Sequence, residues 1–184
     1  MSEPRFPELV AHLREHAVRT GTFTLKSGKT SDWFIDAKQT TCRADGMLLV
    51  ADALLSVIPQ DVTALGGLTM GADAAAFGTA GVAATRGRHL RSFSVRKEVK
   101  DHGGGGRIAG AVEPGDRVAI TEDAVTRGVS MLEAADVVRK AGAVPVCLVP
   151  VVDRGGTCGA MAADRGLAYL PLVTAPDLGF GYEG

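Results

Sequence analysis

The chain has 184 residues, 46% of them hydrophobic, and its 20 Lys and Arg stand against 21 Asp and Glu for a formal net charge of −1. That length suits one domain able to bury most of its apolar surface, and the balanced charge excludes the global basic field that nucleic-acid binding demands. Three scattered cysteines, Cys42, Cys147 and Cys158, exclude a disulfide framework or a C-x-x-C metal site. With no basic, apolar leader pattern and no apolar run approaching about 18 residues, a soluble cytoplasmic protein is expected.

From about Glu3 to Val18 the spacing predicts an amphipathic helix with Phe6, Leu9, Val10, Leu13 and Ala17 on one face. Within it, His12 to His16 spells H-x-x-E-H, a pattern some zinc peptidases use. Nothing else in the chain completes a zinc-hydrolase context, so surface histidines are the better account. Two β-like segments follow, Thr22 to Leu25 and Asp32 to Asp36, split by the turn residues Ser27-Gly28. A second helix from about Ala44 to Ile58 repeats Met47, Val50, Ala51, Leu54 and Val57 and stops at Pro59. Next come a strand at Val62 to Gly66, a small-residue helix from about Gly71 to Ala84, and a strand at Leu90 to Val95.

Arg96 to Gly110 reads R-K-E-V-K-D-H-G-G-G-G-R-I-A-G. The consecutive glycines Gly103 to Gly106 offer no packing surface and maximal backbone freedom, which predicts a mobile loop. Arg96, Lys97, Lys100 and His102 lie just before them, and a mobile loop that carries cations over an anion site is a lid design. The bland alternative is a solvated basic hairpin.

The most informative stretch is Val118 to Ser130, V-A-I-T-E-D-A-V-T-R-G-V-S. A strand at Arg117 to Thr121 would place Glu122 and Asp123 at its end, where their oxygens can accept hydrogen bonds from two vicinal hydroxyls. Thr126 to Ser130 then adds backbone N–H groups, two hydroxyls and a helix start. The helix itself is marked by Met131, Ala134, Ala135, Val138 and Ala141, with Ser130 as N-cap and Gly142 as stop. An anion at such a helix start gains roughly 0.3–2 kcal/mol. The chain contains neither G-x-x-x-x-G-K-[ST] nor a post-strand G-x-G-x-x-G, which removes P-loop NTPases and dinucleotide-binding Rossmann proteins and leaves a ribose phosphate as the implied ligand. A strand at Val144 to Val151, a short helix near Cys158 to Ala163 and a strand at Ala168 to Leu172 complete an alternation that argues for a parallel sheet flanked by helices. Ligands in such sheets bind beyond the carboxyl ends of strands, where both Glu122-Asp123 and Asp153-Arg154 fall.

Val118 to Ser130 resembles the phosphoribosyl-diphosphate motif of type I phosphoribosyltransferases: an apolar strand, two acids, two small or apolar residues, then T-x-G-x-S/T. The string R-K-E-x-K-D-H-G resembles the catalytic loop of orotate phosphoribosyltransferases. Phe23 to Asp36, F-T-L-K-S-G-K-T-S-D-W-F-I-D, is similar to that family's strand-and-turn bearing an orotate-contacting lysine and an aromatic residue, here Lys26 and Phe34. Gly66 to Asp73, G-G-L-T-M-G-A-D, is similar to the diphosphate-side loop, and V-V-D-R sets Arg154 on the arginine that holds the orotate carboxylate. Two departures stand out. Met70 occupies a place where many members carry lysine, which would pass that contact to backbone N–H groups or to a cation elsewhere, and Arg127 stands where a small residue is usual, its bulk and charge either adding a phosphate contact or, the favoured reading, facing solvent.

The resemblance implies an α/β type I phosphoribosyltransferase fold over a single domain, 1–184. Its central, mainly parallel sheet would be flanked by helices, with residues 1 to about 40 forming a small N-terminal hood and 96–110 a mobile catalytic loop. It implies transfer of a 5-phosphoribosyl group from phosphoribosyl diphosphate to N1 of orotate, giving orotidine 5'-phosphate for pyrimidine synthesis. Lys100, His102 and Asp123 would be catalytic. Phosphoribosyl diphosphate would be bound by Arg96, Lys97, Lys100, His102, Glu122, Asp123, Ala124, Val125, Thr126, Arg127, Gly128, Val129 and Ser130. Orotate would be bound by Lys26, Phe34, Thr126 and Arg154. Mg²⁺ would enter through the substrate's diphosphate and not through a protein-built cage, and a homodimer would share the loop across subunits. The competing readings are a transferase for another base and a regulator that senses phosphoribosyl diphosphate; a purine enzyme would not be expected to carry the Lys26 and Arg154 contexts together, and an effector site has no need for a cationic lid.

Overall fold

In a computed structural model, residues 3–24, 28, 30–99 and 106–183 are described. Lys26, Lys100 and His102 lie outside them. Proline decides where the first helix begins: α1 spans Pro7–His16, not Glu3 to Val18, because Phe6 precedes a proline and sits at φ −128° and ψ 74°. Val18 already belongs to the next element. Strands β1 (Val18–Thr24) and β2 (Thr30–Ile35) form an antiparallel hairpin whose register slips between Thr20 and Phe23. One turn of helix, α2 (Lys38–Thr41), which the sequence pattern did not announce, leads into α3 (Ala44–Val57), which ends before Pro59 as expected.

Alternation then sets in. The elements are β3 (Ala64–Leu68), α4 (Asp73–Thr85), β4 (Arg91–Val95), β5 (Ile108–Gly110), β6 (Arg117–Val125), α5 (Val129–Lys140), β7 (Val144–Asp153), α6 (Cys158–Ala163), β8 (Ala168–Tyr169) and β9 (Val173–Thr174), followed by a 3-10 turn at Pro176–Leu178. Among the described residues the main sheet has seven strands in the order β5-β4-β3-β6-β7-β8, with β9 also on β7. Every pairing in it is parallel except β4 with β5. Strand β5 corrects the reading of Arg96 to Gly110 as loop throughout. Its residues return along β4, Ile108 opposite Val95 and Gly110 opposite Phe93, because the apolar Ile108 and Ala109 complete an edge that glycine alone could not.

Period-two alternation along β6 builds two cores. Val118 and Ile120 face Met131, Leu132, Ala135 and Val138 of α5, whereas Ala119 joins the cluster that holds Val50 and Leu54 of α3 and Ala75 and Ala76 of α4. Each fully buried side chain of Leu or Met size contributes roughly 1.5–3 kcal/mol, so helices on both faces clamp the sheet. The first helix and hairpin join the second cluster through Leu9, Leu13 and Trp33. The chain leaves β3 toward β4 on one side, and β6 then pairs with β3 on the other. Beyond the carboxyl ends of β3 and β6 the connections therefore diverge, which opens a crevice at that switch point.

Candidate active site

Strand β6 does not stop at Thr121. It pairs with β7 as far as Val125 opposite Asp153, so Glu122 and Asp123 belong to the strand and do not lie beyond its end. Both are buried, at 6% and 8% exposure. Their carboxylates nonetheless converge beneath the turn after β3: a Cβ on Gly71 would overlap Glu122 Oε1 and lie 2.7 Å from Asp123 Oδ1. Only glycine lets that turn close over the pair. The Ala124 N–H donates to Asp123 Oδ1 at 2.8 Å, and Lys38 Nζ forms an ion pair with Asp123 Oδ2. Burial, then the adjacent Asp123 charge, pushes the Glu122 carboxyl up to about 8. For Lys38, burial pulls downward, but the hydrogen bond and charge of Asp123, with Asp36 and Glu122 behind it, leave its pKa above the ordinary value.

Nothing in the sequence singled out Lys38, because a lone lysine after a strand carries no motif and the fold alone brings it 85 positions along the chain to Asp123. Met70, by contrast, is 70% exposed. In the same turn Thr69 Oγ1 donates to Asp73 Oδ2 at 2.6 Å, and Asp73 Oδ1 is buried without a partner among the described residues.

The turn after β6 is built on Gly128, which caps α5 at φ 81°. Ser130 is therefore the second helical residue and not the N-cap: the chain needs a left-handed residue to enter the helix, which glycine adopts without strain. A Cβ on Gly128 would also overlap Cys158 Sγ. Among the described residues no side chain caps this helix, which leaves its first-turn N–H groups suited to an anion. Thr126 and Ser130 are half-buried beside it, while Arg127 and Val129 are exposed, Arg127 as expected for a residue facing solvent. The carbonyl of Thr126 accepts from Thr157 Oγ1 at 2.9 Å, and a Cβ on Gly155 would overlap it, so the turns after β6 and β7 lie directly against each other.

That contact carries Arg154 into the site. The Arg154 N–H donates to Val125 O at 2.8 Å, and its guanidinium, 7% exposed as a residue, runs back under the hairpin. Its Nη2 donates to Trp33 O at 3.0 Å, to Ser31 Oγ at 3.1 Å and to Glu183. The guanidinium carbon lies 4.8 Å from the Trp33 ring centroid, and Phe180 stacks parallel on that ring at 4.4 Å. Ser31, Trp33 and Ile35 thus share the inner face of β2. Phe34, expected beside the base, alternates outward: it is 39% exposed and packs on Phe23 at 5.7 Å, so the structure does not bring it to Arg154.

No protein-family model matches the chain. The orotate phosphoribosyltransferase of Streptomyces coelicolor is 38% identical over 174 residues, covering 94% of this chain and 96% of that protein. The chain belongs to the orotate phosphoribosyltransferase family. Two solved structures extend the likeness. A phosphoribosyltransferase from Corynebacterium diphtheriae superposes with a TM-score of 0.82 at 35% identity, covering 94% of this chain and 96% of that one. Orotate phosphoribosyltransferase from Mycobacterium tuberculosis, in complex with 5-phospho-alpha-D-ribosyl 1-diphosphate, superposes with a TM-score of 0.77 at 29% identity, covering 94% and 97%.

The family's loop segment leaves β4 through Arg96, which is half-buried, and the exposed Lys97. Its base is closed by a reciprocal pair: Arg96 N–H donates to Arg107 O and Arg107 Nε donates to Arg96 O, both at 2.7 Å. Arg107 also bridges to Glu133 of α5 at 2.5 Å. The tie fixes both ends of the loop to the helix that starts at the anion turn. The H-x-x-E-H histidines do share a face, their ring centroids 4.4 Å apart, but His12 Nδ1 is engaged with Thr40 Oγ1 at 3.1 Å. Their place is the packing of α1 on α2.

Proposed function

We propose that this chain transfers the 5-phosphoribosyl group from phosphoribosyl diphosphate to N1 of orotate, releasing diphosphate and forming orotidine 5'-phosphate in pyrimidine synthesis. The observation that carries the reading is the adjacency of two sites at the ends of β6 and β7: a buried acid pair running into an uncapped helix start, and a buried arginine one strand away. Family membership supports the reaction.

Breaking the C1–O bond leaves an electron-poor ribose and an electron-rich diphosphate, so the site must stabilise separating charge. The 5'-phosphate takes the N–H groups and hydroxyls of Thr126 to Ser130, with Ala124 and Val125 forming the strand that leads to them. The ribose hydroxyls meet Glu122 and Asp123, where a Glu122 still protonated near neutral pH can donate while Asp123, paired with Lys38, accepts. Arg154 suits the planar carboxylate of orotate through its fork, and Ser31 adds a hydroxyl donor beside it. Lys26 is assigned to the base by the family resemblance, and Arg96, Lys97, Lys100 and His102 to the leaving diphosphate. Holding two substrates for in-line displacement supplies on the order of 7–11 kcal/mol in favourable cases, and closing the loop keeps water from the activated ribose.

Mg²⁺ fits this arrangement by the chemistry of its donors: Glu122 and Asp123 are buried carboxylates beside the phosphate turn, and hard oxygens are what this ion takes. When bound with the substrate, the ion would neutralise diphosphate charge. We further infer a homodimer that shares the loop across subunits, with Arg107 and Glu133 holding the described base of the loop on α5. A cytoplasmic setting is supported by free Cys42, Cys147 and Cys158. The test is an assay of purified protein with Mg²⁺, phosphoribosyl diphosphate and each of orotate, uracil, hypoxanthine and adenine. Orotate alone should be consumed; consumption of another base with none of orotate would overturn the reading.

A further inference from the structure

Glu183 sits where the proposed reaction puts the substrate's carboxylate. One of its oxygens accepts from the Ser31 hydroxyl and the other from Arg154 Nη2. The segment that delivers it is seated by three contacts: Phe180 on Trp33, the Tyr182 ring against Gly156, and the Glu183 N–H on Arg154 O at 3.1 Å. The Tyr182 contact is tight, since a Cβ on Gly156 would come within 2.8 Å of the ring.

Yet the arginine is not saturated. All its side-chain bonds run through Nη2, and Nε is buried without a partner among the described residues. A permanent structural pair at a buried arginine is ordinarily two-pronged, using both sides of the fork. The side chain of Glu183 is also the more exposed of the two, 20% against 9% for Arg154. A cavity of about 390 Å³ lined by Thr22, Thr30, Ser31, Asp32 and Glu183 opens on the contact.

We infer that Glu183 is an internal stand-in for the substrate's carboxylate: it occupies the Ser31–Arg154 site when no base is bound and is displaced by an incoming planar carboxylate. The inference rests on the reading that Arg154 receives the orotate carboxylate. Its logic is that of a buried charge. An unpaired guanidinium at this depth is costly, so the empty site needs an anion, and a ligand can evict Glu183 only by replacing what it supplies. Orotate can do so with two carboxylate oxygens in a fork. Uracil, which lacks the carboxylate, would leave both Arg154 and Glu183 unpaired. Glu183 would therefore weaken apparent orotate affinity while sharpening the choice of a carboxylated base.

Two measurements test this. Steady-state kinetics of Glu183→Gln should show the KM for orotate falling about three- to tenfold, as expected when an occupant that closes most of the population is weakened, with the KM for phosphoribosyl diphosphate within about twofold of the parent. Hydrogen exchange on the unmodified protein is independent of any variant's folding. Saturating orotate, with Mg²⁺ and diphosphate present so that no transfer occurs, should speed exchange across 179–183, and uracil should not. An unchanged or raised orotate KM in Glu183→Gln, or greater protection of 179–183 with orotate, overturns the inference; a raised KM would mean that Glu183 positions Arg154. Arg154→Gln separates the two readings. If that variant leaves the orotate KM unchanged, the assignment of Arg154 to the base has failed. If it raises that KM while Glu183→Gln does not lower it, only the displacement has failed.

Discussion

At the scale of single residues, Glu122 is informative because burial and the neighbouring Asp123 charge act on its carboxyl in the same direction. With Glu122 raised to about 8, the folded state keeps a proton that the unfolded chain releases near its ordinary 4.5. Between those values the unfolded state binds fewer protons, so stability falls as pH rises through the window. Glu122→Gln removes the dependence: thermal melts should show the variant close to the parent at pH 5 and ahead of it by on the order of 1–3 kcal/mol at pH 8. Lys38 works on the other acid. Lys38→Met should lower kcat/KM for phosphoribosyl diphosphate about tenfold and leave the KM for orotate nearly unchanged, because it strips Asp123 of its cation without touching Arg154. The acid pair and Arg154 were legible from the chain, since each follows an apolar run at a strand end. Lys38, Ser31 and Glu183 were not, since none belongs to a local pattern.

At the scale of elements, the turns matter more than the strands they join. Gly71 is the point where the turn after β3 rests on both acids, so Gly71→Ala must move either the turn or the carboxylates. It should lose at least about 100-fold in kcat/KM and about 1–3 kcal/mol of stability, read by assay and by denaturant unfolding. Gly128 and Gly115 offer a controlled comparison. Both hold positive φ, 81° and 89°, but a Cβ on Gly115 meets nothing within 4 Å whereas one on Gly128 overlaps Cys158. Gly115→Ala should cost about 1–2 kcal/mol from backbone strain alone, and Gly128→Ala clearly more. Strand β5 shows why the end of the loop is not legible in the sequence. Three residues are too few to carry a period, and they become a strand only because β4 offers an open edge.

At the scale of the whole molecule, sheet order sets the site. With β3 and β6 adjacent and their connections diverging, the turn bearing Gly71, the acid pair and the anion turn meet in one crevice, and β7 adds Arg154 from the next strand. Loop sharing in a homodimer has a direct test. Lys100→Ala and Asp123→Asn should each be nearly inactive alone, but mixed in equal amounts and allowed to exchange subunits they should recover about a quarter of parental activity, because half of the dimers are hybrids with one intact site. No recovery, despite demonstrated exchange, would confine each loop to its own subunit.

The sequence by itself determined the alternating α/β plan, the acid pair with its T-x-G-x-S turn, the cationic glycine-rich segment and Arg154, because each is written in contiguous residues whose spacing has a local physical meaning. Only the tertiary structure decided that β6 continues through the acids, that Gly128 and not Ser130 opens α5, that Trp33 and Ser31 rather than Phe34 face the arginine, and that Lys38 and Glu183 enter the site. Apart from the left-handed Gly128, those are contacts between residues tens to more than a hundred positions apart, set by sheet order and by which face a strand presents, and no local pattern encodes them.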